Sequence, residues 1–313
     1  MAKLSRDLME ELFFDKEVKD DCVVMGPEYG EDAAVIDIGD SFIVAHSDPI
    51  SGAVENIGWL AINIAANDIA VSGARPRWAL ITIQFPENIS KEKIQEIILD
   101  IYEASIGLDI DIIGGHSETV KKIDQPLITT SLLGTTGNPI YTKDAEPGDK
   151  IVQIGEAAIE GTWILTSDFG ERLMKRGVEE SVISEGRSLR DDISVVKNGL
   201  DIRNEVNSMH DPTEGGILQG LYEMARASQN SFVIDSEPSM KYCTMKICDN
   251  LGIDPLKLIS SGSLLATVSE DVDLEIGDVI GKVESGPSRV IYEDEKIEPI
   301  YEDELFKAIR KLE

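Results

Sequence analysis

Four short stretches place an aspartate where glycine or the end of a structural element exposes it. They are Gly30-Glu31-Asp32-Ala33-Ala34-Val35, His46-Ser47-Asp48-Pro49, Asn67-Asp68 and His210-Asp211-Pro212-Thr213-Glu214-Gly215-Gly216. Carboxylates are hard oxygen donors, and a scattered set gathered by folding is suited to holding Mg2+ against phosphate oxygens. Each stretch also has a plainer reading. Gly30 to Val35 fits a solvated turn, His46 to Pro49 a turn before proline at the end of a strand, and Asp211 with Thr213 a helix cap. Asp68 is the most pointed. It lies in Ile57 to Val71, which is apolar except for Asn63, Asn67 and Asp68. A helix apolar on all sides is buried, and a buried carboxylate without a partner is strongly disfavoured. Asp68 is therefore expected to face a cation, a metal or a firm set of donors, with a salt bridge to Arg75 or Arg77 as the competing reading. Asn63 and Asn67, four apart, share one face. At 210–216 a helix start with two glycines would let phosphate oxygens reach backbone N–H groups, aided by the helix dipole.

The three histidines each sit inside a candidate motif: His46 by Asp48, His116 in Gly114-Gly115-His116-Ser117-Glu118, and His210 by Asp211. That placement keeps open a transition-metal site with histidine and aspartate ligands.

The elements that must position these residues alternate in type. Val35 to Ile38 and Ser41 to Ala45 read as strands around the turn Gly39-Asp40. The helix from Ile57 to Val71 is stopped by Gly73 and Pro76. Trp78 to Phe85 is strand-like, and Ser90 caps a helix with Ile94, Ile97, Ile98 and Ile101 on one face. A short strand, Asp109 to Ile113, runs into Gly114-Gly115, and Leu127 to Leu133 is another. Loop chemistry at 137–150 sets a domain boundary, giving an N-terminal domain at 1–145 and a C-terminal domain at 146–313 that opens with strand Ile151 to Ile154. Ser188 with Asp191 reads as a capping box heading a helix whose buried stripe is Leu189, Ile193, Val196 and Leu200. A further helix from near Thr213 buries Ile217, Leu218, Leu221 and Met224. The last 50 residues or so read as strands and turns closed by an amphipathic helix ending at Leu312.

Bulk properties narrow the function classes. The 313 residues carry 29 basic and 59 acidic side chains, a formal charge of −30. That field repels nucleic acid and anionic membrane, and an ATP site within it would need bound metal or a local basic patch. The apolar runs fall short of the roughly 20 residues that span a bilayer, and the opening MAKLSRDLMEELFF lacks the pattern of a secretory signal, so a cytoplasmic location is expected. Cys22, Cys243 and Cys248 are too few and too spread for a disulfide framework or a closed zinc site.

Taken in order, GEDAAV (30–35), SDP (47–49), NDIAVSGARP (67–76), the glycine pair 114–115, PGD (147–149) and HDPTEGG (210–216) resemble one superfamily. It contains aminoimidazole ribonucleotide (AIR) synthetase, selenophosphate synthetase, thiamine-monophosphate kinase and the hydrogenase maturation protein HypE. DPLKLISSGSLLATV (254–268) is most similar to the HypE branch. The resemblance implies an α/β (α+β) protein of two domains. The N-terminal mixed sheet would join a dimer β-barrel with helices outside, and an α/β sheet-and-helix domain would follow. It implies ATP and Mg2+ in a cleft lined by both domains, with Asp32, Asp48, Asp68 and Asp211 at metal positions. Asp48, Asp68 and Asp211 would be catalytic, and Asn67, Gly114, Gly115, His116, Thr213 and Gly215 would line the nucleotide. Phosphoryl transfer to a small amide-, thio- or carboxyl-type acceptor, or to a partner protein, follows, with neither nucleic acid nor membrane as partner. Thiamine-monophosphate kinase and a non-catalytic, ATP-responsive metalloenzyme maturation factor are the alternatives. There are departures. HypE modifies a C-terminal cysteine, whereas this sequence ends Ala308-Ile309-Arg310-Lys311-Leu312-Glu313 and its last cysteine is Cys248, so that self-modification is not expected. His116 stands where thiamine-monophosphate kinase and HypE usually carry aspartate, and GGHS looks instead like selenophosphate synthetase.

Overall fold

A computed structural model describes Leu12 and residues 18–50 and 55–313. The opening stretch read above for a secretory signal otherwise lies outside these. Two mixed sheets divide the chain. The first contains β1 (Val23–Met25), β2 (Ala34–Asp37), β3 (Phe42–Ile50), β4 (Arg75–Pro86), β5 (Asp111–Val120) and β6 (Leu127–Thr136), in the spatial order β1-β2-β3-β6-β4-β5. Only β4 and β5 pair in parallel. The second sheet contains β7 (Lys150–Ile154), β8 (Ser208–His210), β9 (Ser231–Ile234), β10 (Leu264–Val268), β11 (Asp278–Glu284), β12 (Arg289–Tyr292) and β13 (Glu295–Ile297), ordered β13-β12-β9-β11-β7-β10-β8.

Helix α1 (Ile57–Val71) is buried at all 15 positions, as its apolar run requires. One side lies on the first sheet, so closely that a Cβ at Gly134 of β6 would sit 2.3 Å from Ile69 Cγ2. Another packs on α2 (Lys91–Gly107), which starts as predicted, with Ser90 Oγ accepting from Lys93 N at 3.1 Å. The C-terminal half supplies α3 (Ile159–Lys175), α4 (Glu180–Arg187), α5 (Val196–Ile202), α6 (Gly216–Ala227), α7 (Tyr242–Leu251) and α8 (Glu304–Leu312). Helix α1 also touches α5 and β8. One apolar cluster runs from Val44, Leu60 and Ile69 into Ile159, Leu165 and Leu189, so the two halves share a core.

Three local readings are corrected. The His46-Ser47-Asp48 stretch lies within β3, because pairing with β6 continues to Ile50–Ile128. Gly114, Gly115 and His116 lie within β5, which the parallel ladder with β4 carries to Val120. A Cβ at Gly115 would fall 1.9 Å from Ile81 O, so this glycine serves strand packing. Ser188 ends α4 rather than starting a helix: its Oγ donates to Glu185 O at 2.7 Å, and a 3-10 turn, Ser188–Asp192, follows. The proposed stripe is nonetheless buried at Leu189, Ile193 and Val196.

The first sheet is open within the chain. Its edge strand β5 is mostly exposed, and Leu80 and Ile113 on the strands at that edge are 42% and 57% exposed.

Candidate functional site

The path of α1 dictates where the site forms. Its last turn carries Asp68 to the place where β3, the loop before β2 and the end of β8 meet. His46, on β3, approaches from the first sheet. Its Nδ1 donates to the backbone carbonyl of Asp32, and its Nε2 lies 3.1 Å from Asp68 Oδ2 without hydrogen-bond alignment. Asp48 follows two residues along the same face of β3, where Val44 is buried. Asp32 projects to His210, at the end of β8, with Oδ2 2.9 Å from Nδ1. The opposite ring nitrogen, Nε2, meets Glu223 Oε2 of α6 at 3.0 Å.

His210 is thus a buried imidazole between two carboxylates from different halves. Burial opposes its protonation, but Asp32 and Glu223 more than offset that and hold its pKa well above the ordinary value. Both ring nitrogens therefore act as donors. A second link ties the same loops. Glu31 accepts from Thr142 N at 3.1 Å and Lys143 N at 3.0 Å, and burial raises its pKa to about 7.

Asp211 follows His210 and is 2% exposed, yet neither carboxylate oxygen has an aligned hydrogen-bond partner, although the Asn67 amide lies close enough to favour its ionised form. Burial first, and then the charges of Asp68 and Asp32, push its pKa well above the usual range. Protonated His210 offsets only part of this negative charge. An oxygen-rich set with two unclaimed oxygens suits a hard divalent cation. Among the described residues no group of three or more His, Cys, Asp or Glu forms a ready-made metal cage. Mg2+ is commonly held by one or two carboxylates, with water and phosphate completing its shell, so the donor set fits it. The same observation gives no support to a transition-metal cage built from histidine and aspartate.

Not every predicted residue joins this group. The salt-bridge reading of Asp68 fails on geometry: Arg75 pairs with Asp109 at 2.7 Å and Arg77 lies over Trp78. Asn67 uses its side chain to join the halves, Nδ2 donating to Ile193 O at 3.0 Å and Oδ1 accepting from Val195 N at 2.9 Å. It is a structural bridge beside Asp211. Gly215 N, expected to meet phosphate, donates to Asp303 Oδ2 at 2.6 Å, and Gly216 N donates to Thr213 O at 3.0 Å. Thr213 O also accepts from Ser260 N at 3.3 Å, so its backbone is committed to the protein. Gly115 is in lateral register with Ile81, Thr130 and Asp48, which puts β5 three strands away, about 14 Å at the usual strand spacing. His116 sits one register step on, exposed, and 3.9 Å from Glu118. Within one chain the carboxylate group forms without Gly114, Gly115 or His116.

Sequence reading missed the pairing of His210 with Asp32 and Glu223, 178 and 13 residues away. Neither spacing carries a local signal. It also missed Glu160, a lone acid in Ala157-Ala158-Ile159-Glu160-Gly161-Thr162-Trp163-Ile164-Leu165, to which the desolvation argument made for Asp68 applies equally.

The chain was compared with known proteins. Residues 30–136 match the family described as AIR synthase related protein, N-terminal domain, and 146–291 match its C-terminal domain. A protein of Methanocaldococcus jannaschii named for hydrogenase expression and formation is 30% identical over 79% of this chain and 74% of its own. Carbamoyl dehydratase HypE of Escherichia coli is 27% identical over 74% of this chain and 67% of its own. The HypE of Rhizobium leguminosarum is 30% identical, with 61% of its length covered. Among solved structures, thiamine monophosphate kinase from Aquifex aeolicus superposes with a TM-score of 0.74 at 20% identity, covering 94% of this chain and 97% of that one. A hydrogenase maturation protein HypE in complex with ATP gives 0.70 at 20% identity, covering 96% of each. Both structural likenesses concern the fold. Among the described residues no helix is long and apolar enough to cross a membrane.

Proposed function

Because the chain belongs to the AIR synthase-related family, with HypE-like relatives, we propose that it binds Mg-ATP at the Asp32–Asp68–Asp211 group and transfers a phosphoryl group. The acceptor would be a small amide-, thio- or carboxyl-type molecule or a partner protein. The observation that carries the proposal is Asp211, buried with both oxygens unclaimed and facing two further aspartates from the other half.

Asp211 and Asp68 would hold the metal, with Asp48 beside His46 on the same strand face. Bound Mg2+ supplies charge neutralisation of the phosphates, the main requirement of such transfer. Asp32 is oriented by His210, and the His210 charge keeps the group from being wholly anionic before nucleotide arrives. The Glu31 and Asn67 links fix the two halves around the cleft. The ATP complex of a HypE of this fold supports the nucleotide assignment. The open sheet edge and exposed Leu80 and Ile113 support the homodimer expected from the resemblance. The break between the two family matches, between residues 136 and 146, supports a domain division near residue 145.

The charges that bear most on the neighbouring Glu160 are all acidic, which favours the HypE-like reading over a kinase whose acceptor is a phosphate monoester. Calorimetric titration of ATP with and without Mg2+ tests the assignment. Mg-dependent binding that is lost in Asp68→Asn is expected. No Mg-dependent binding at millimolar ATP sinks it.

A further inference from the structure

Beyond Asp211 the acidic lining continues into the C-terminal half. Glu160 stands in the first turn of α3 and is 4% exposed. Its Oε2 lacks an aligned hydrogen-bond partner, and the buried Ser261 hydroxyl lies beside it, close enough to favour its ionised form. The backbone around them is tightly specified. Ala158, in the left-handed region at φ 60, is held by a hydrogen bond from its N to Ser260 Oγ at 2.8 Å, while Glu160 N donates to Ser261 O at 3.2 Å. A side chain on so fixed a base does not swing away to solvent. The charges facing it are those of Glu214, Asp211 and Asp303. Asp303 is engaged, accepting from Gly215 N and Leu305 N. Glu214 is exposed, so the acidic lining reaches the surface there.

We propose that Glu160, with Ser261, forms the acceptor subsite of the phosphoryl-transfer site, and that it recognises a cationic nitrogen group, an ammonium, amidinium or guanidinium, carried by the acceptor beside its reacting amide, thio or carboxyl group. The proposal rests on the Mg-ATP reading above, since Asp211 is shared by the nucleotide end and this lining. Nitrogen is favoured over a second metal because Asp303 already accepts from two backbone N–H groups and Asp211 belongs to the nucleotide end, which leaves Glu160 with a hydroxyl rather than a second carboxylate beside it. It is favoured over a neutral group because Glu160 offers a carboxylate oxygen without an aligned donor, and a cationic N–H donor supplies both charge and a hydrogen bond. Burial raises the Glu160 pKa to about 8, a cost that a cationic partner would offset.

Methylguanidinium and methylurea have the same shape and differ in charge, so ligand-observed NMR with each, on full-length protein loaded with Mg2+ and a non-hydrolysable ATP analogue, separates the cases. Methylguanidinium is expected to bind and methylurea to bind at least about tenfold more weakly. Glu160→Gln keeps the shape and removes the charge, and should abolish that preference. Ser261→Ala should weaken methylguanidinium severalfold, and Glu275→Gln, at an exposed site, should leave it unchanged. Equal binding of the two probes overturns the proposal, as does a preference that survives in Glu160→Gln or falls equally in Glu275→Gln. Thermal melting of each variant identifies any that fails to fold, Ser261→Ala then standing in for Glu160→Gln. Loss of Mg-ATP binding with the methylguanidinium preference intact would count against the nucleotide reading alone.

Discussion

Asp68 and Glu160 make an instructive pair. Each is the lone acid of an apolar helical segment, but they occupy opposite helix ends. Asp68 lies in the last turn of α1, where exposed carbonyls disfavour a negative charge. Glu160 lies in the first turn of α3, where backbone N–H groups favour one. Helix position alone would make Glu160 the easier anion, yet burial among acids raises its pKa to about 8. Asp68, at the worse end, has the His46 ring 3.1 Å away and lies across from Asp211. What surrounds a buried carboxylate outweighs the dipole of the helix that carries it.

The largest expected effect concerns the clasp that supports the Asp68 side. His210→Ala leaves Asp32 and Glu223 in a common acidic pocket without their shared cation. Removing one member of a buried pair typically costs about 3–5 kcal/mol, and the 11% and 13% exposure of the two carboxylates points to the lower part of that range. Urea unfolding of the apo protein measures it. A loss under about 1 kcal/mol would show that His210 is not the cation joining the halves.

Next come Asp68→Asn and Asp211→Asn, each expected to weaken Mg-dependent ATP binding about hundredfold, while Glu160→Gln changes it less than about threefold. Calorimetry on the three variants sets the two helix ends against each other. Equal losses in all three would erase the distinction between a nucleotide end and an acceptor end.

Much of the Asp68 side was legible in the sequence, because its signals are local and strong. A 15-residue apolar helix with three polar positions reads as buried, and desolvation then requires its carboxylate to have a partner. Ser90 was legible for the same reason, since its hydrogen bond closes within three residues. The remainder depended on information far away in the chain. Gly115 resembles a loop glycine until β4 is laid beside it, and Gly215 resembles a phosphate cradle until Asp303, 88 residues on, takes its N–H. Ser188 misled because a serine followed by an acid also occurs where one helix ends. Helix α3 was passed over because Gly161, Thr162 and Thr166 dilute its helical signal, and Glu160 went with it.

The acidity of Glu160 provides a third test, in pH. Its folded pKa of about 8 exceeds the ordinary 4.5, so its favourable contribution is complete below about pH 4.5 and is lost as pH rises towards 8. Glu31, raised to about 7, has the same sign. Apo protein should therefore lose stability between about pH 5 and 8, and Glu160→Gln should flatten that loss by about 2 kcal/mol. Denaturant unfolding across this range at fixed ionic strength is the measurement. Parallel curves for variant and wild type would place Glu160 in a far more polar setting than its burial implies.

The smallest effect isolates what donors do for a buried acid. Asp303 is nearly as buried as Glu160 and also belongs to a helix start, but its oxygens accept from Leu305 N at 2.7 Å and Gly215 N at 2.6 Å. Burial raises its pKa only to about 6, because those hydrogen bonds oppose the rise. Asp303→Asn keeps one acceptor oxygen and turns an NH2 group towards the other donor, so it should destabilise the protein by about 1 kcal/mol at pH 7. Because the wild-type pKa is raised, the wild type gains stability as pH falls through about 6, so that loss should grow towards pH 4. Glu160→Gln, which removes a carboxylate without backbone donors of this kind, should change with pH in the same direction but by more, over an interval reaching to about pH 8. A clearly larger pH-dependent change for Glu160→Gln than for Asp303→Asn would attribute the difference between two acids of similar burial to their hydrogen-bond donors, and equal changes would return the explanation to burial alone.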